Sequence, residues 1–189
     1  RKPSPVPKAL FPASARALAP DAAVVALAPL LEEAVSLSVP AEARQRIDVR
    51  CEVAPEAARV RVDPMLVRHA LTNLVSNAVD AMPEGGRLLV RAARSNGTIV
   101  LSVSDTGAGI GSEERRHIFE PFYTTKPRGK GTGLGLAITR EIATALRGRV
   151  EVESAAGRGS TFTLSFPDGR ENGSPPGGAD AAIANPRGR

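Results

Sequence analysis

Apolar side chains recur along the chain with two periods, and these periods predict its helices and strands. Residues 63–82, DPMLVRHALTNLVSNAVDAM, carry them at helical spacing and predict the strongest helix, with Asp63 as N-cap and Pro64 in the first turn. IDVRCEV (47–53) alternates strictly and predicts a half-buried strand. Three further helices are predicted, over the second half of 23–38, near 112–117 and near 133–146. Two hairpins are predicted as well, one over 87–105 with its turn at Asn96-Gly97 and one over 149–166.

The order of these elements predicts an α/β (α+β) fold. Helices that alternate with a strand and two hairpins favour a two-layer α/β sandwich. We expect a mixed, mostly antiparallel sheet of about five strands, covered on one face by about three helices, with a mobile lid before the last helix. We predict a domain at 23–167, between a Pro- and Ala-rich linker at 1–22 and a disordered tail at 168–189.

Charge and composition exclude several classes of function. The net charge is +5, but the first 20 residues carry four basic and no acidic side chains, so the excess belongs mainly to the linker. With one Tyr and no Trp to stack on bases, we expect no nucleic-acid binding. Cys51, the single cysteine, rules out an internal disulfide. The longest apolar stretch, 22–31, is too short to span a bilayer, so we expect a cytoplasmic segment without direct membrane contact.

A glycine cluster opens the helix predicted near 133–146. Gly129, Gly131, Gly133 and Gly135 alternate with other residues in GKGTGLG, and a helix N-terminus behind such a loop favours an anion. Lys126 and Lys130, the two lysines outside the linker, bracket this loop and favour phosphate. An ordinary mobile, basic loop is the alternative.

Two further patterns carry candidate polar ligands. Asn73 and Asn77 lie four residues apart on the helix at 63–82, beside its apolar stripe, where both amides can reach one ion or ligand. Two surface asparagines explain the pair equally well. Asp105 ends a strand and precedes Gly107 and Gly109, which places a carboxylate beside a close-approach turn, although an ordinary Asp turn has the same pattern.

Five segments in order resemble one family. HALTNLVSNAVDAM, DTGAGI, IFEPFYTTK, GKGTGLGLAI and GRGSTFTLSFP resemble the N, G1, F, G2 and G3 boxes of the sensor histidine kinase catalytic domain, within the GHKL superfamily. The resemblance covers about residues 25–167 and is closest to the nitrogen-regulator branch, where EPFYTTK is typical.

The resemblance implies a role for each matching residue. Asn77 is expected to bind Mg²⁺, and Asp105 to accept a hydrogen bond from the adenine amino group. Gly107 and Gly109 would let the backbone approach the base, Thr161 would contact adenine, and Phe119 and Phe122 would anchor the lid. The implied catalytic residues are Asn73, Asn77 and Lys126, and the other implied nucleotide contacts are Asp80, Ile110, Lys130, Gly131, Thr132, Gly133, Leu134, Gly135 and Leu136.

The resemblance also implies a reaction and its partners. ATP with Mg²⁺ would donate its γ-phosphate to a histidine on a separate dimerisation domain, and a response regulator receiver domain would then take it. Asn73 stands where related ATPases carry a water-activating glutamate, which favours transfer over hydrolysis. His69 and His117 lie outside the family's phosphoacceptor context, so the acceptor is expected elsewhere and this segment alone is expected to be monomeric. A degenerate nucleotide-binding module and a serine-phosphorylating anti-sigma-type kinase are the alternatives.

Overall fold

The computed structural model describes residues 21–126 and 131–169. No helix in these two ranges is long and apolar enough to cross a membrane. Two 3₁₀ turns, Pro55–Ala57 and Glu114–Arg116, join the regular elements. In chain order the helices and strands are β1 (Ala23–Ala26), α1 (Leu27–Ser38), α2 (Ala41–Arg44), β2 (Ile47–Val53), β3 (Arg59–Val62), α3 (Pro64–Asp80), β4 (Gly86–Ser95), β5 (Thr98–Asp105), α4 (Gly135–Ala145), β6 (Arg149–Ser154) and β7 (Ser160–Pro167).

Five strands form the main sheet, in the order β2-β4-β5-β7-β6. Strand β2 pairs with β4 in parallel, and the other neighbours are antiparallel, so the predicted mixed, mostly antiparallel sheet is confirmed. Strands β4 and β5 turn at Asn96 and Gly97, whose φ angles of 48° and 74° are the positive pair that a tight hairpin turn requires.

The core lies between this sheet and the helices. Alternate side chains of β5, Ile99, Leu101 and Val103, are fully buried in the same hydrophobic cluster as Leu71 and Leu74 of α3. The residues between them on β5 are only half buried, because successive strand side chains point to opposite faces. With residues of α1 and α4 in the same cluster, the predicted two-layer arrangement of about three helices on one sheet face is confirmed.

Several local features differ from the sequence-based prediction. A second sheet of two strands pairs β1 with β3 in antiparallel fashion, with Ala23 opposite Val62. Strand β1 (AVVA) shows no alternation in the sequence, whereas β3 (RVRV) does alternate but was too short to be predicted as a strand on its own. Helix α1 begins at Leu27 and is longer than predicted, whereas the helix predicted near 112–117 is the short 3₁₀ turn Glu114–Arg116.

The folded contacts continue past Pro167, where the sequence placed the end of the domain. The Asp168 carboxylate accepts a hydrogen bond from the Arg61 backbone N–H at 2.9 Å and forms an ion pair with Arg94. The Asp168 N–H donates to the Gly97 carbonyl at 2.8 Å, and the Gly169 N–H to the Arg61 carbonyl at 3.1 Å. Most of the predicted linker and tail, residues 1–20 and 170–189, lies outside the described residues.

Candidate functional site

One cavity of about 470 Å³ opens between α3, the loop after β5, the segment before α4 and the start of β7. It gathers most of the predicted site residues from four separate parts of the chain. Gly107, Leu134 and Thr161 do not line it, and Lys130 lies outside the described residues. The predicted residues that line it are Asn73, Asn77, Asp80, Asp105, Gly109, Ile110, Lys126, Gly131, Thr132, Gly133, Gly135 and Leu136.

Asp105 supplies a buried carboxylate at one end of the cavity. Its side chain ends β5 and is only 7% exposed. Oδ1 accepts the Gly107 N–H at 2.8 Å and the Ser160 N–H at 3.3 Å. Burial raises the pKa of Asp105 above its ordinary value, and the two N–H groups oppose that rise. Within 21–126 and 131–169 no hydrogen bond to Oδ2 is formed, so this oxygen is available to a ligand.

The two glycines after Asp105 serve backbone packing. A Cβ on Gly107 would meet the Ala81 carbonyl oxygen at 2.3 Å, and one on Gly109 would meet that of Ala155 at 2.0 Å. The Ala108 N–H donates to the same Ala81 oxygen at 3.0 Å, which fastens this loop to the end of α3. Both glycines let the loop pack closely on its own neighbours, and Gly109 also lines the cavity, so the expected approach of this backbone to a base stays a prediction.

Thr161 points away from the cavity, contrary to its expected role. Its hydroxyl lies 2.9 Å from the Ser104 hydroxyl, and both side chains are on the sheet face opposite the helices. Ser160 faces the cavity instead, and on β5 its register partner is Asp105. The sequence contained this signal: Ser160 is in phase with the buried Phe162 and Phe166, whereas Thr161 is out of phase.

Helix α3 brings three polar side chains to the end of the cavity opposite Asp105. Asn73 donates from Nδ2 to the Gly135 carbonyl at 3.2 Å and so ties α3 to the start of α4. The Lys126 ammonium donates to Asn77 Oδ1 at 3.1 Å and to Asp80 Oδ2 at 2.5 Å. The asparagine pair therefore lies in the cavity wall, and its role in binding a ligand stays a prediction.

The N-terminus of α4 lies in the cavity wall. Gly135 and Leu136 begin the helix and line the cavity, and no side chain of residues 21–126 or 131–169 caps this helix end. Uncapped N–H groups at a helix N-terminus attract anions. Thr132 and Gly131 continue this wall towards Lys126.

A backbone contact closes the base of the segment predicted to be the lid. The Phe122 N–H donates to the Gly133 carbonyl at 2.9 Å, and a Cβ on Gly133 would lie 2.5 Å from the Phe122 carbonyl carbon. Phe119 packs edge-on against Phe162, with ring centroids 6.5 Å apart, as expected of an anchor. Phe122 is 61% exposed, so its side chain is not the expected lid anchor, and its backbone contact with Gly133 makes the anchor instead. Residues 127–130 lie outside the described residues.

The oxygen atoms near Asn77 suit a hard cation such as Mg²⁺ whose coordination is completed by a bound ligand. Among residues 21–126 and 131–169 there is no cluster of three His, Cys, Asp or Glu side chains that could bind a metal by itself. The Asn77 amide oxygen already accepts a cationic group, the Lys126 ammonium, and the Asp80 carboxylate lies against that same group. Mg²⁺ is commonly bound by one or two protein oxygens together with phosphates, so these residues fit it.

Part of the cavity lining was not predicted from the sequence. Ser76 and Glu114 line the cavity, as do Tyr123 and Phe162. Ser76 was recognisable in hindsight, because it adjoins Asn77 on the polar side of α3. Glu114 and Tyr123 belong to irregular segments, where no periodicity shows which way a side chain points.

Known proteins match both the sequence and the fold. Residues 62–170 match the family described as histidine kinase-, DNA gyrase B-, and HSP90-like ATPase. The signal transduction histidine-protein kinase AtoS of Escherichia coli (strain K12) is 36% identical over 144 residues, which are 76% of this chain and 23% of AtoS. This chain therefore spans less than a quarter of that kinase.

Two solved structures agree with this. The nucleotide-free catalytic domain of histidine kinase ThkA is 31% identical with a TM-score of 0.69, and the match covers 78% of this chain and 96% of that domain. Full-length ShkA in complex with AMPPNP is 32% identical with a TM-score of 0.70, over 79% of this chain and 31% of ShkA. These matches confirm the resemblance seen in the five sequence segments. The chain belongs to the histidine kinase-, DNA gyrase B- and HSP90-like ATPase family, and its fold is that of a histidine kinase catalytic domain.

Proposed function

We propose that this chain is the ATP-binding catalytic domain of a two-component sensor histidine kinase. It binds ATP with Mg²⁺ and transfers the γ-phosphate to a histidine on a dimerisation domain, from which a response regulator receiver domain takes it. One observation carries the proposal: a single cavity has a buried carboxylate at one end and an ammonium–amide cluster beside an uncapped helix N-terminus at the other. We expect the domain to act in the cytoplasm and to be monomeric without its dimerisation domain.

The Asp105 end suits the adenine base. Oδ2 of Asp105 is available as an acceptor, and the exocyclic amino group of adenine is a donor, whereas guanine has a carbonyl at the same ring position. The hydroxyl of Ser160 lies on the same wall and replaces Thr161 as the second polar contact. ShkA, a structural neighbour, was crystallised with AMPPNP, an adenine nucleotide, which supports the same ligand class.

The opposite end suits the phosphates. The Lys126 ammonium and the N–H groups that begin α4 at Gly135 and Leu136 supply positive charge and donors on one wall. Lys130 is proposed as a second cation on the basis of the sequence alone. When bound at Asn77, Mg²⁺ would neutralise charge that develops on the phosphates during transfer.

The residues around the phosphates favour transfer to an acceptor over hydrolysis. Asn73 uses its amide N–H group to hold the start of α4, and an amide cannot take a proton from water. The protein side chains would therefore position the triphosphate and stabilise charge. The imidazole nitrogen of the acceptor histidine forms a bond to the γ-phosphorus, the bond between that phosphorus and the β,γ-bridging oxygen breaks, and ADP leaves. The intact cluster of Asn77, Asp105 and Lys126 argues against a degenerate binding module.

The test supplies the dimerisation domain of the parent kinase in trans, with ATP labelled on the γ-phosphate. We expect label on the dimerisation domain that is lost in acid and stable in alkali, as phosphohistidine requires. Asn77→Ala should abolish the label, and Ser104→Ala, on the opposite face of the sheet, should leave it unchanged. Acid-stable label would indicate a serine kinase, and ATP binding without any label would indicate a regulatory module.

A further inference from the structure

The last residue of β6, Ser154, joins two residues of the cavity wall, Ile110 and Ser160, to the turn at Gly159. Its Oγ accepts the Ile110 N–H at 2.8 Å and donates to the Gly159 carbonyl at 2.8 Å. The same Oγ lies 2.9 Å from the hydroxyl oxygen of Ser160. In the sheet register Ser154 pairs with Ser160, and Ser160 pairs with Asp105, so the three side chains lie in a row across β6, β7 and β5.

The number of hydroxyl hydrogens determines which serine donates in the hydrogen bond between Ser154 and Ser160. A hydroxyl has one hydrogen and two lone pairs. The single hydrogen of Ser154 goes to the Gly159 carbonyl, which can only accept, and one lone pair takes the Ile110 N–H. The remaining lone pair of Ser154 is therefore filled by the hydrogen of Ser160.

This direction determines what the Ser160 hydroxyl offers to a ligand. Its only hydrogen is bound to Ser154, so towards the cavity its oxygen can only accept. Asp105 Oδ1 is also occupied, by the N–H groups of Gly107 and Ser160, and Oδ2 can only accept. The wall at this end thus presents two acceptors, the Ser160 oxygen and Asp105 Oδ2, and no hydroxyl hydrogen from Ser160.

We propose that Ser154 is a positioning residue for base selection, which makes the cavity choose a 6-aminopurine over a 6-oxopurine by holding the hydrogen of Ser160 away from the ligand. The inference deepens the proposed function and rests on it. An amino group donates to both acceptors, whereas a 6-oxo group places an acceptor against them, which leaves buried groups unpaired. Without Ser154 the Ser160 hydroxyl can rotate and donate to a 6-oxo group, so the choice between the bases weakens.

The experiment compares the affinities of ATP and inosine triphosphate, which share the sugar and phosphates and differ in the purine at the 6-amino or 6-oxo position and at N1. We expect the unmodified chain to prefer ATP, and Ser154→Ala to lower that preference about five- to tenfold, the effect of roughly one hydrogen bond. Ser154→Thr keeps the hydroxyl and should restore the preference. Ser104→Ala is the matched control, because it removes a hydroxyl from an equivalent pair, with Thr161, on the other sheet face.

A second variant keeps the proposal testable where Ser154→Ala does not fold. Ser160→Ala removes the acceptor and should lower the preference for ATP as well. Because both serines act through one hydroxyl, the double variant should be no less selective than either single variant. Unchanged preference in Ser160→Ala, or affinities for both nucleotides that fall equally in Ser154→Ala, would overturn the inference while leaving the proposed function intact. Failure of the unmodified chain to bind ATP at all would instead overturn the proposed function.

Discussion

The ammonium group of Lys126 lies 3.1 Å from the amide oxygen of Asn77, the atom to which the proposed function assigns Mg²⁺. The Asp80 carboxylate holds the other side of the same ammonium at 2.5 Å. The ammonium of Lys126 therefore lies where Mg²⁺ is proposed to bind, and under the proposed function the binding of Mg²⁺ and ATP would require Lys126 to exchange Asn77 for a phosphate. The residue proposed to contact the phosphates is thus already held at the cavity by Asn77 and Asp80.

Lys126→Met should weaken the binding of ATP selectively. A charge-assisted hydrogen bond contributes roughly 1.5 to 3 kcal/mol, so we expect about a tenfold to hundredfold loss of ATP affinity. Binding of adenosine, which has no phosphates, should change little. Calorimetric titration with both ligands checks this, and Arg149→Met on β6, away from the cavity, is the control. An equal loss for adenosine would contradict a phosphate role for Lys126.

Asp105→Asn should change the pH dependence of stability. Burial raises the pKa of the folded-state carboxyl above its unfolded value. Such a group adds stability that is fully present below the unfolded-state pKa and is lost as pH rises through the folded-state pKa. The variant, which has no charge to bury, should gain melting temperature relative to the unmodified chain at neutral pH and lose that advantage in mild acid. Thermal unfolding of both chains across this range tests the sign, and an advantage that grows in acid would contradict it.

Gly133→Ala should damage the base of the lid far more than Gly157→Ala. Both glycines have positive φ, 67° and 75°, so alanine strains the backbone in each by about 1 to 2 kcal/mol. Only at Gly133 would the new methyl also collide with backbone, that of Phe122, whereas Gly157 has nothing within 4 Å. We expect a larger loss of unfolding free energy and of ATP affinity at Gly133. Equal effects in the two variants would show that the Phe122 contact is unimportant.

Truncation should place the end of the domain at Gly169, which we propose in place of 167. A chain that ends at Pro167 leaves the Arg94 guanidinium, which is 24% exposed, without the Asp168 carboxylate. Removing one partner of a largely buried ion pair costs about 3 kcal/mol. A chain that ends at Gly169 should unfold at the same denaturant concentration as the full chain. Equal stability of the two truncated chains would contradict this boundary.

Local periodicity revealed those parts of the site that depend on one element. The 3.6-residue period placed Asn73 and Asn77 on a single helix, and the structure puts both in the cavity. Alternation located β2 to the residue, at Ile47–Val53, because one face of that strand packs against the core. The order of the elements was enough for the two-layer fold, since a mixed sheet with helices of this number has few other ways to bury its apolar face.

Features that depend on distant partners were not predictable. Strand β1 exists because β3 pairs with it, and Gly107 and Gly109 are needed because Ala81 and Ala155 press on them. The position of Ser160 rather than Thr161 in the cavity lining is a different case, because the strand phase was readable from the sequence and only the family motif pointed to Thr161. The family motif identifies the segment that lines the site, and the alternation of side chains along the strand shows which of its residues faces the cavity.

The most direct test of the whole account is calorimetric titration of this chain with a non-hydrolysable ATP analogue, with and without Mg²⁺, beside the matching GTP analogue. We predict binding of the adenine nucleotide that Mg²⁺ strengthens, weak binding of the guanine nucleotide, and loss of that preference in Asp105→Asn. Equal binding of the two nucleotides, or an adenine preference that survives Asp105→Asn, would contradict the assignment of Asp105 to the base and with it the proposed orientation of ATP in the cavity.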